Sequence, residues 1–390
     1  MVLALLLSIQ PVTTDLYLPA LPALTRDLGA PVVQAQLTLS ALLLAFGLSQ
    51  LVWGPLSDRF GRRPVLLTGL SLYTLASIGS ALSPSMEALV IWRTLQGAAM
   101  GAVVVCARAI LRDLYAPLAG ARVMSRALTG LGIVACFAPP VGAVLATAFG
   151  WRAALFAVTV YACSTLAVVA LRMPETHSRP NVRALEPSIL LRTWAHVLRN
   201  PTFWAFSLLT TASYGGLFTF LASSSFVFID VLGLSRTQYS MALFSGAFSY
   251  FCGTFVCRWA LLRHGLRKTV ALAGLLSLSG AGILFFVASS GVRQPVALLL
   301  PFYLFMVAHG MHQPCGQSGC VGPFPHAAGA ASALNGLMMM LTAFGVGLWV
   351  GANLDGSVWP LVHGVAFWAT ALALVAWTLV QKFGEPLDAH

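Results

Sequence analysis

Polar residues in this chain fall in short joints between apolar runs of about twenty residues. Twelve such runs can be marked, at approximately 2–22, 34–56, 64–83, 87–107, 123–147, 151–172, 201–225, 238–259, 268–289, 295–317, 328–350 and 358–381. A helix rises 1.5 Å per residue, so each run is long enough to cross a hydrocarbon layer about 30 Å thick. The pattern predicts an all-α membrane protein with twelve transmembrane helices. An even number of crossings puts both termini on one side. Only the stretch from Arg172 to Asn200 is a long polar connection. It holds Pro174, Pro180 and Pro187, and a short surface helix is expected over Pro187–Leu198. The expected organisation is a six-helix bundle over 1–172, a linker over 173–200 and a second six-helix bundle over 201–390.

The two halves read as copies. Shifted by 204 positions, Leu28-Gly29 falls on Leu232-Gly233 and Gln34 on Gln238. Arg59, Gly61 and Arg63 fall on Arg263, Gly265 and Arg267, while Leu262 stands opposite Asp58. The identities are few but sit at equivalent joints, as in transporters built from a duplicated helical unit around a central cavity.

Composition removes the main alternatives. The chain is 58% hydrophobic and 8% charged, against about 25% charged residues in soluble domains. Its solvent is therefore lipid. The net charge of +11 is spread over short joints and forms no basic patch with interleaved aromatics, so nucleic acid is not an expected partner. Of the 22 basic residues, seventeen lie in joints on one proposed face, four on the other, and Arg93 lies inside a run. That asymmetry puts both termini in the cytoplasm. The start, Met1 to Leu7, lacks a basic n-region and a cleavage site, and is read as a retained first span. The seven cysteines, mostly inside apolar runs, read as small core residues rather than a disulfide framework. No phosphate-binding G-x-x-x-x-G-K-[ST] loop, H-E-x-x-H, C-x-x-C or G-x-S-x-G occurs. The chain is not expected to be an enzyme or to need a cofactor.

The most distinctive joint is Gly54-Pro55-Leu56-Ser57-Asp58-Arg59-Phe60-Gly61-Arg62-Arg63-Pro64, a charged turn between the second and third runs. It resembles the loop signature G-x-L-x-D-R-x-G-R-R/K of the major facilitator superfamily. Two further strings are more specific. Asp15-Leu16-Tyr17-Leu18-Pro19-Ala20-Leu21-Pro22 and Pro323-Phe324-Pro325-His326-Ala327-Ala328-Gly329-Ala330-Ala331-Ser332-Ala333-Leu334 resemble the Bcr/CflA, or bicyclomycin-resistance, drug-efflux subfamily. The resemblance implies a monomeric, proton-coupled exporter of drug-like molecules in a bacterial inner membrane, its partners being the lipid bilayer, a small-molecule substrate and protons. Proton-coupled export of one specific metabolite, such as a nucleoside or amino acid derivative, is the alternative function, and a non-transporting membrane sensor or scaffold is a further one.

Candidate chemistry follows from where charge meets lipid. Asp15 is the only carboxylate deep in a run. It either faces the bundle interior, where it can take up a proton near neutral pH, or sits at an interface because the first helix ends early. Arg93 is the only cation deep in a run, with Asp15, Gln36, Gln50 and Gln96 as candidate partners. It either holds helices together or serves coupling. Its setting, Arg93-Thr94-Leu95-Gln96-Gly97, resembles a fourth-helix signature in which the arginine is tied to proton transfer. Arg108 and Arg112, one turn apart, can join Asp113, Asp58, Arg59, Arg62 and Arg63 in a conformation-locking charge cluster, or simply reach toward headgroups.

Pro139, Pro140 and Gly142 are expected to kink the fifth helix, and loosely resemble the G-x-x-x-G-P-x-x-G antiporter signature. The prolines and glycines between runs ten and eleven are expected to break that turn. Tyr17, Phe46, Gln50, Gln96, Tyr214, Phe218, Tyr250, His309, Gln313 and Asn335 are candidate cavity residues. A metal at His309, His312, Cys315 and Cys320 is not expected, because no zinc spacing is matched.

Overall fold

The computed structural model describes residues 2–114, 117–176, 182–324 and 327–384. Residues 112, 117–122, 124–126, 128, 129 and 182 are described by backbone alone. Among the described residues there is no strand. The helices are α1 (Val2–Asp15), α2 (Leu21–Asp27), α3 (Val32–Phe60), α4 (Arg62–Ala81), α5 (Met86–Leu114), α6 (Pro117–Phe149) and α7 (Trp151–Arg172). They continue with α8 (Pro187–Leu198), α9 (Pro201–Ser225), α10 (Arg236–Ser289), α11 (Pro295–Val321), α12 (Ala328–Asn353), α13 (Trp359–Trp377) and α14 (Leu379–Phe383).

Among the described residues, eleven helical stretches are long and apolar enough to cross a membrane. One of them, α10, has 54 residues, which at 1.5 Å per residue is more than twice the hydrocarbon thickness. Its backbone leaves the helical region at Gly265 (φ 71°, ψ 176°), so it supplies two crossings and brings the number to twelve. Its first arm is held by a capping box, in which Ser235 accepts from the backbone of Gln238 and the Gln238 side chain accepts from the backbone of Ser235.

Two compact units emerge, Met1–Leu191 and Arg192–His390. In the first, α1 packs on α5 and α6, α3 on α5, and α4 on α5 and α7. In the second, α10 packs on α11 and α13, and α9 on α11, α12 and α13. Each unit points large apolar side chains outward, among them Leu75, Ile91 and Val160 in one and Phe286 and Leu374 in the other. In a lipid solvent those outward faces need no covering.

The repeat is visible in the backbone. Gly61 and Gly265, which coincide under the 204-residue shift, both have positive φ (97° and 71°), as do Gly29 and Gly233 (60° and 73°). An L-residue with a Cβ rarely adopts that geometry, so both copies keep glycine where the chain turns from one crossing to the next.

Two expectations need correction. The charged joint is not a turn over its whole length: Gly54 to Phe60 continue α3, and only Gly61 leaves the helix. The reversal needs one residue once a glycine supplies it. The first crossing extends beyond residue 22 to Asp27 and is interrupted. The α-helix ends at Asp15, a 3₁₀ turn covers Leu18–Ala20, and α2 completes the span. The break toward α12 falls where it was expected: α11 runs through Pro301 and Pro314 to Val321, Gly322 and Pro323 follow it, and α12 begins at Ala328; Pro325 and His326 lie outside the described residues. The first helix of the second unit is also irregular near its end. After α9 the chain passes into a π turn over Phe226–Val231, where Leu232 N donates to Val227 O at 2.9 Å.

Close helix pairs rest on glycine. A Cβ on Gly97 would stand 2.0 Å from Leu42 O, and one on Gly253 would stand 2.2 Å from Val307 O. These sites fix α5 against α3 and α11 against the first arm of α10 at backbone contact. Gly97→Leu is expected to destabilise the first unit by about 1–3 kcal/mol, the usual cost of overpacking. The check is a lower melting temperature in detergent than for Gly132→Leu, a position where an added Cβ meets nothing within 4 Å.

Candidate functional site: a buried arginine, a carboxylate at a helix break, and an ion-pair cluster at a helix turn

Arg93 on α5 is fully buried. Its Nη2 donates to Thr13 O at 2.8 Å, its Nε to Thr38 O at 3.3 Å, and its Nη1 to Gln96 Oε1 at 2.8 Å. The guanidinium carbon lies 4.3 Å from the centroid of the Tyr17 ring, a cation–π distance. Each partner is itself held. Gln96 Nε2 donates to Ser77 Oγ at 2.6 Å. Tyr17 OH and Thr38 Oγ1 are 3.0 Å apart, with the Thr38 hydroxyl bonded to Ala35 O at 2.6 Å. The Thr13 hydroxyl bonds Ile9 O and lies 2.6 Å from Tyr73 OH. One cation thus gathers α1, α3, α4 and α5.

The carbonyl of Thr13 is open to Arg93 because α1 stops two residues later. The last carbonyls of a helix lack the amide four residues on, and here a guanidinium takes one of them. Pro19 and Pro22, which lack N–H groups, follow the interruption. Across from it, α6 brings Gly142 so close that a Cβ there would stand 1.6 Å from Leu16 O. The helix α6 continues through Pro139 and Pro140.

Asp15 occupies the end of α1 and is partly buried. Its Oδ1 accepts from Thr14 Oγ1 at 2.6 Å. It forms no ion pair with Arg93; of the sequence candidates, Gln96 is the partner, joined by two backbone carbonyls and an aromatic face. The sequence could not reveal this, because main-chain acceptors exposed at a helix end have no residue type. Both readings of Asp15 hold a part of the observed geometry: the α-helix does end at it, and the span continues beyond it.

The other candidates divide between the units. In the first, Phe46 and Gln50 are buried on α3, with Gln50 Nε2 donating to Phe46 O at 3.4 Å. In the second, a neutral polar web joins α9, α11 and α12. Asn335 Oδ1 accepts from Ser207 Oγ at 2.8 Å and Thr210 Oγ1 at 2.7 Å, and Gln313 Nε2 donates to Thr210 O at 3.1 Å. His309 Nδ1 is 2.7 Å from Ser213 Oγ, and its ring lies 5.4 Å from that of Tyr250. Tyr214 and Phe218 stack at 6.3 Å. The sequence reading missed Ser207, Thr210 and Ser213, which in an apolar run look like small packing residues.

The charge cluster at the α3–α4 turn centres on Arg62, which is almost completely buried. Its Nη1 donates to Asp58 Oδ1 at 2.6 Å and Ser57 Oγ at 2.7 Å, and its Nε to Asp113 Oδ2 at 2.8 Å. Arg62 thus forms an ion pair with each of Asp58 and Asp113. The side chain of Arg112 lies outside the described residues. Arg59 stacks near Phe60 at 5.5 Å.

Glu175 completes the cluster and was not anticipated. Its carboxylate accepts from the backbone N–H of Arg62 and of Arg63, each at 3.0 Å. It caps the start of α4, where free amides and the helix dipole favour an anion. Arg63 in turn donates from Nη2 to Ala170 O at 3.1 Å. Gly61 is needed here for room as well as for φ, since a Cβ would stand 2.6 Å from Glu175 Oε2. A signal was available: Glu175 is the only acidic residue between Asp113 and Glu186.

Residues 3–348 match the family described as Major Facilitator Superfamily. The chain belongs to the major facilitator superfamily. As a member of the superfamily it is a multi-pass membrane transporter and carries the family's loop signature at the α3–α4 turn. It is 32% identical over 340 residues to multidrug resistance protein D of Escherichia coli, covering 86% of this chain and 84% of that protein. It is 29% identical over 237 residues to a bicyclomycin resistance protein homolog of Haemophilus influenzae, covering 61% of this chain and 60% of that one. Its fold is that of the xylose transporter XylE from E. coli in a partially occluded inward open conformation, with a TM-score of 0.74, 14% identity, and 99% and 98% of the two chains covered.

The ion pairs at this loop predict non-additive stability. Arg62→Ala leaves Asp58 and Asp113 without their buried guanidinium, and Asp113→Ala removes one of its two carboxylates. A double-mutant cycle on thermal unfolding is expected to return a coupling of about 1–3 kcal/mol. The same cycle between Arg62 and the half-buried Arg152, which pairs with Asp27 instead, should return a value near zero.

Proposed function

We propose that this transporter exports drug-like hydrophobic or amphipathic molecules in exchange for protons, by alternating access. Its similarity to a multidrug resistance protein and to a bicyclomycin resistance protein homolog supports the substrate class. The two strings that resemble the Bcr/CflA subfamily support it further. The expected setting is a bacterial inner membrane, with a monomer as the working unit and both termini in the cytoplasm, the orientation that the basic residues favour.

The observation that carries proton coupling is Asp15, a partly buried carboxylate at the interruption of a membrane-crossing helix. Broken helices are where transporters of this general kind bind ions and substrates. Arg93 has a different role from the one its charge first suggested. It pins the end of α1 through Thr13 O, two residues from Asp15, and so positions the carboxylate rather than neutralising it. Taking up a proton removes the charge of Asp15, so the pinned end of α1 presents a neutral group in one state and an anion in the other. A substrate that prefers one of these states couples to the proton by mass action.

The polar groups around Arg93, and those around His309, Gln313 and Asn335, are the proposed substrate contacts. Tyr17, Phe46, Tyr214, Phe218 and Tyr250 supply apolar surface. The energy suffices: one proton moving inward gains about 2.3 kcal/mol per 100 mV, a roughly fortyfold to fiftyfold gradient of a neutral substrate.

Proteoliposomes carrying an internal pH dye, challenged with a panel of unrelated amphipathic compounds, test the proposal. Several compounds should drive proton flux with the natural chain. Asp15→Asn should abolish that flux while the protein still binds drug. Concentrative transport retained by Asp15→Asn removes the carboxylate from the mechanism, and a response to one compound alone marks an exporter of a single metabolite.

A further inference from the structure

Cys257 and Cys315 stand apart from the machinery above. Both are free and buried, and their sulfur atoms lie 3.6 Å apart. Cys257 is on the first arm of α10 and Cys315 on α11. Cys257 Sγ also lies 3.6 Å from Met311 O, so its thiol hydrogen has two neighbouring acceptors. Among the described residues no other pair of cysteine sulfurs meets.

The contact is built into the backbone. One turn before Cys257, Gly253 rests against Val307 O. Just before Cys315, Gly310 rests against Tyr250 O, where a Cβ would stand 2.3 Å away. With the two helices held at main-chain contact just before the pair, the thiols are brought face to face. A disulfide needs its sulfurs at about 2.05 Å, so side-chain rotation must bring them roughly 1.5 Å closer.

We propose that Cys257 and Cys315 are an oxidisable dithiol, a modification site at which a lipid-soluble azo compound or quinone joins α10 to α11 by one disulfide. With an azo oxidant such as diamide, the Cys257 sulfur adds to one nitrogen of the N=N bond. The Cys315 sulfur then attacks the Cys257 sulfur, forming S–S as S–N breaks. The two thiols are oxidised by two electrons, and the azo group leaves as a hydrazine carrying both protons. A quinone accepts the same two electrons and two protons and leaves as a quinol. The burial of the pair selects the oxidant: with both thiols enclosed by protein, a bulky charged disulfide such as oxidised glutathione does not reach them, whereas a small uncharged oxidant does.

The test uses the full chain with a protease site inserted in the exposed joint between α10 and α11, at Gly291–Gln294. After diamide treatment in liposomes and cleavage, the two fragments should run as one band on a non-reducing gel and as two after dithiothreitol. The linked peptides should show the loss of two hydrogens by mass spectrometry. Cys257→Ala and Cys315→Ala should each abolish the linkage, while Cys163→Ala, at an exposed thiol, should leave it intact. Fragments that separate after oxidation, with Cys163 alkylation showing that the oxidant had acted, overturn the proposal. Linkage that persists in either alanine variant overturns it as well.

Discussion

A guanidinium buried in a lipid-solvated bundle, with no carboxylate to answer it, sets the terms for the first unit. The cost of a cation at the centre of a membrane helix, a few kcal/mol on the lenient insertion scale, stands in full unless its N–H groups are met. Arg93 meets them with Thr13 O, Thr38 O and Gln96 Oε1, and sets its face on Tyr17. Those acceptors exist only if α1 stops where it does and if α3 passes at the right depth. The interruption at Asp15, the placement of Tyr17 and the bonds from Gln96 and Thr13 to α4 are therefore parts of one solution to one solvation problem.

The second unit solves a milder problem by other means. Its interior polar groups are hydroxyls, amides and an imidazole, which satisfy one another around Thr210 and Asn335 and around Ser213 and His309. The duplication has kept the backbone devices, such as the paired positive-φ glycines at 61 and 265, while the interiors have diverged. That divergence suits a transporter whose two bundles have different tasks. One buries a guanidinium two residues from a carboxylate along α1, and the other joins hydroxyls, amides and an imidazole.

Much of this was legible before any coordinates. The crossings could be counted because a lipid solvent permits few alternatives to an apolar helix, and the surface helix over Pro187–Leu198 lies where its sequence put it. Asp15 and Arg93 were conspicuous as lone charges in apolar runs. Their partners were less so. A backbone carbonyl such as Thr13 O has no sequence signature, and the charge on Arg93 drew attention to a carboxylate that lies close in sequence to its real acceptor. Glu175 was overlooked because it follows Arg62 by more than a hundred residues, and its role lies in geometry at the start of α4. The joint at Gly54–Pro64 was read as one turn because charge marks a membrane face. Yet α3 carries that charge in helical form up to the single residue able to reverse the chain.

The glycine contacts have a mechanical consequence. Two helices whose main chains touch, as α3 and α5 do at Gly97 and α10 and α11 at Gly253, have no compressible side-chain cushion between them and behave as stiff planks. Compliance must then reside where the ladder of helical hydrogen bonds is already irregular. Those places are the interruption after Asp15 and the π turn at Phe226–Val231, each at the end of the first long helix of its unit. Opening and closing would on this account be borne by two short flexures, with the paired planks serving as the lever arms that transmit them.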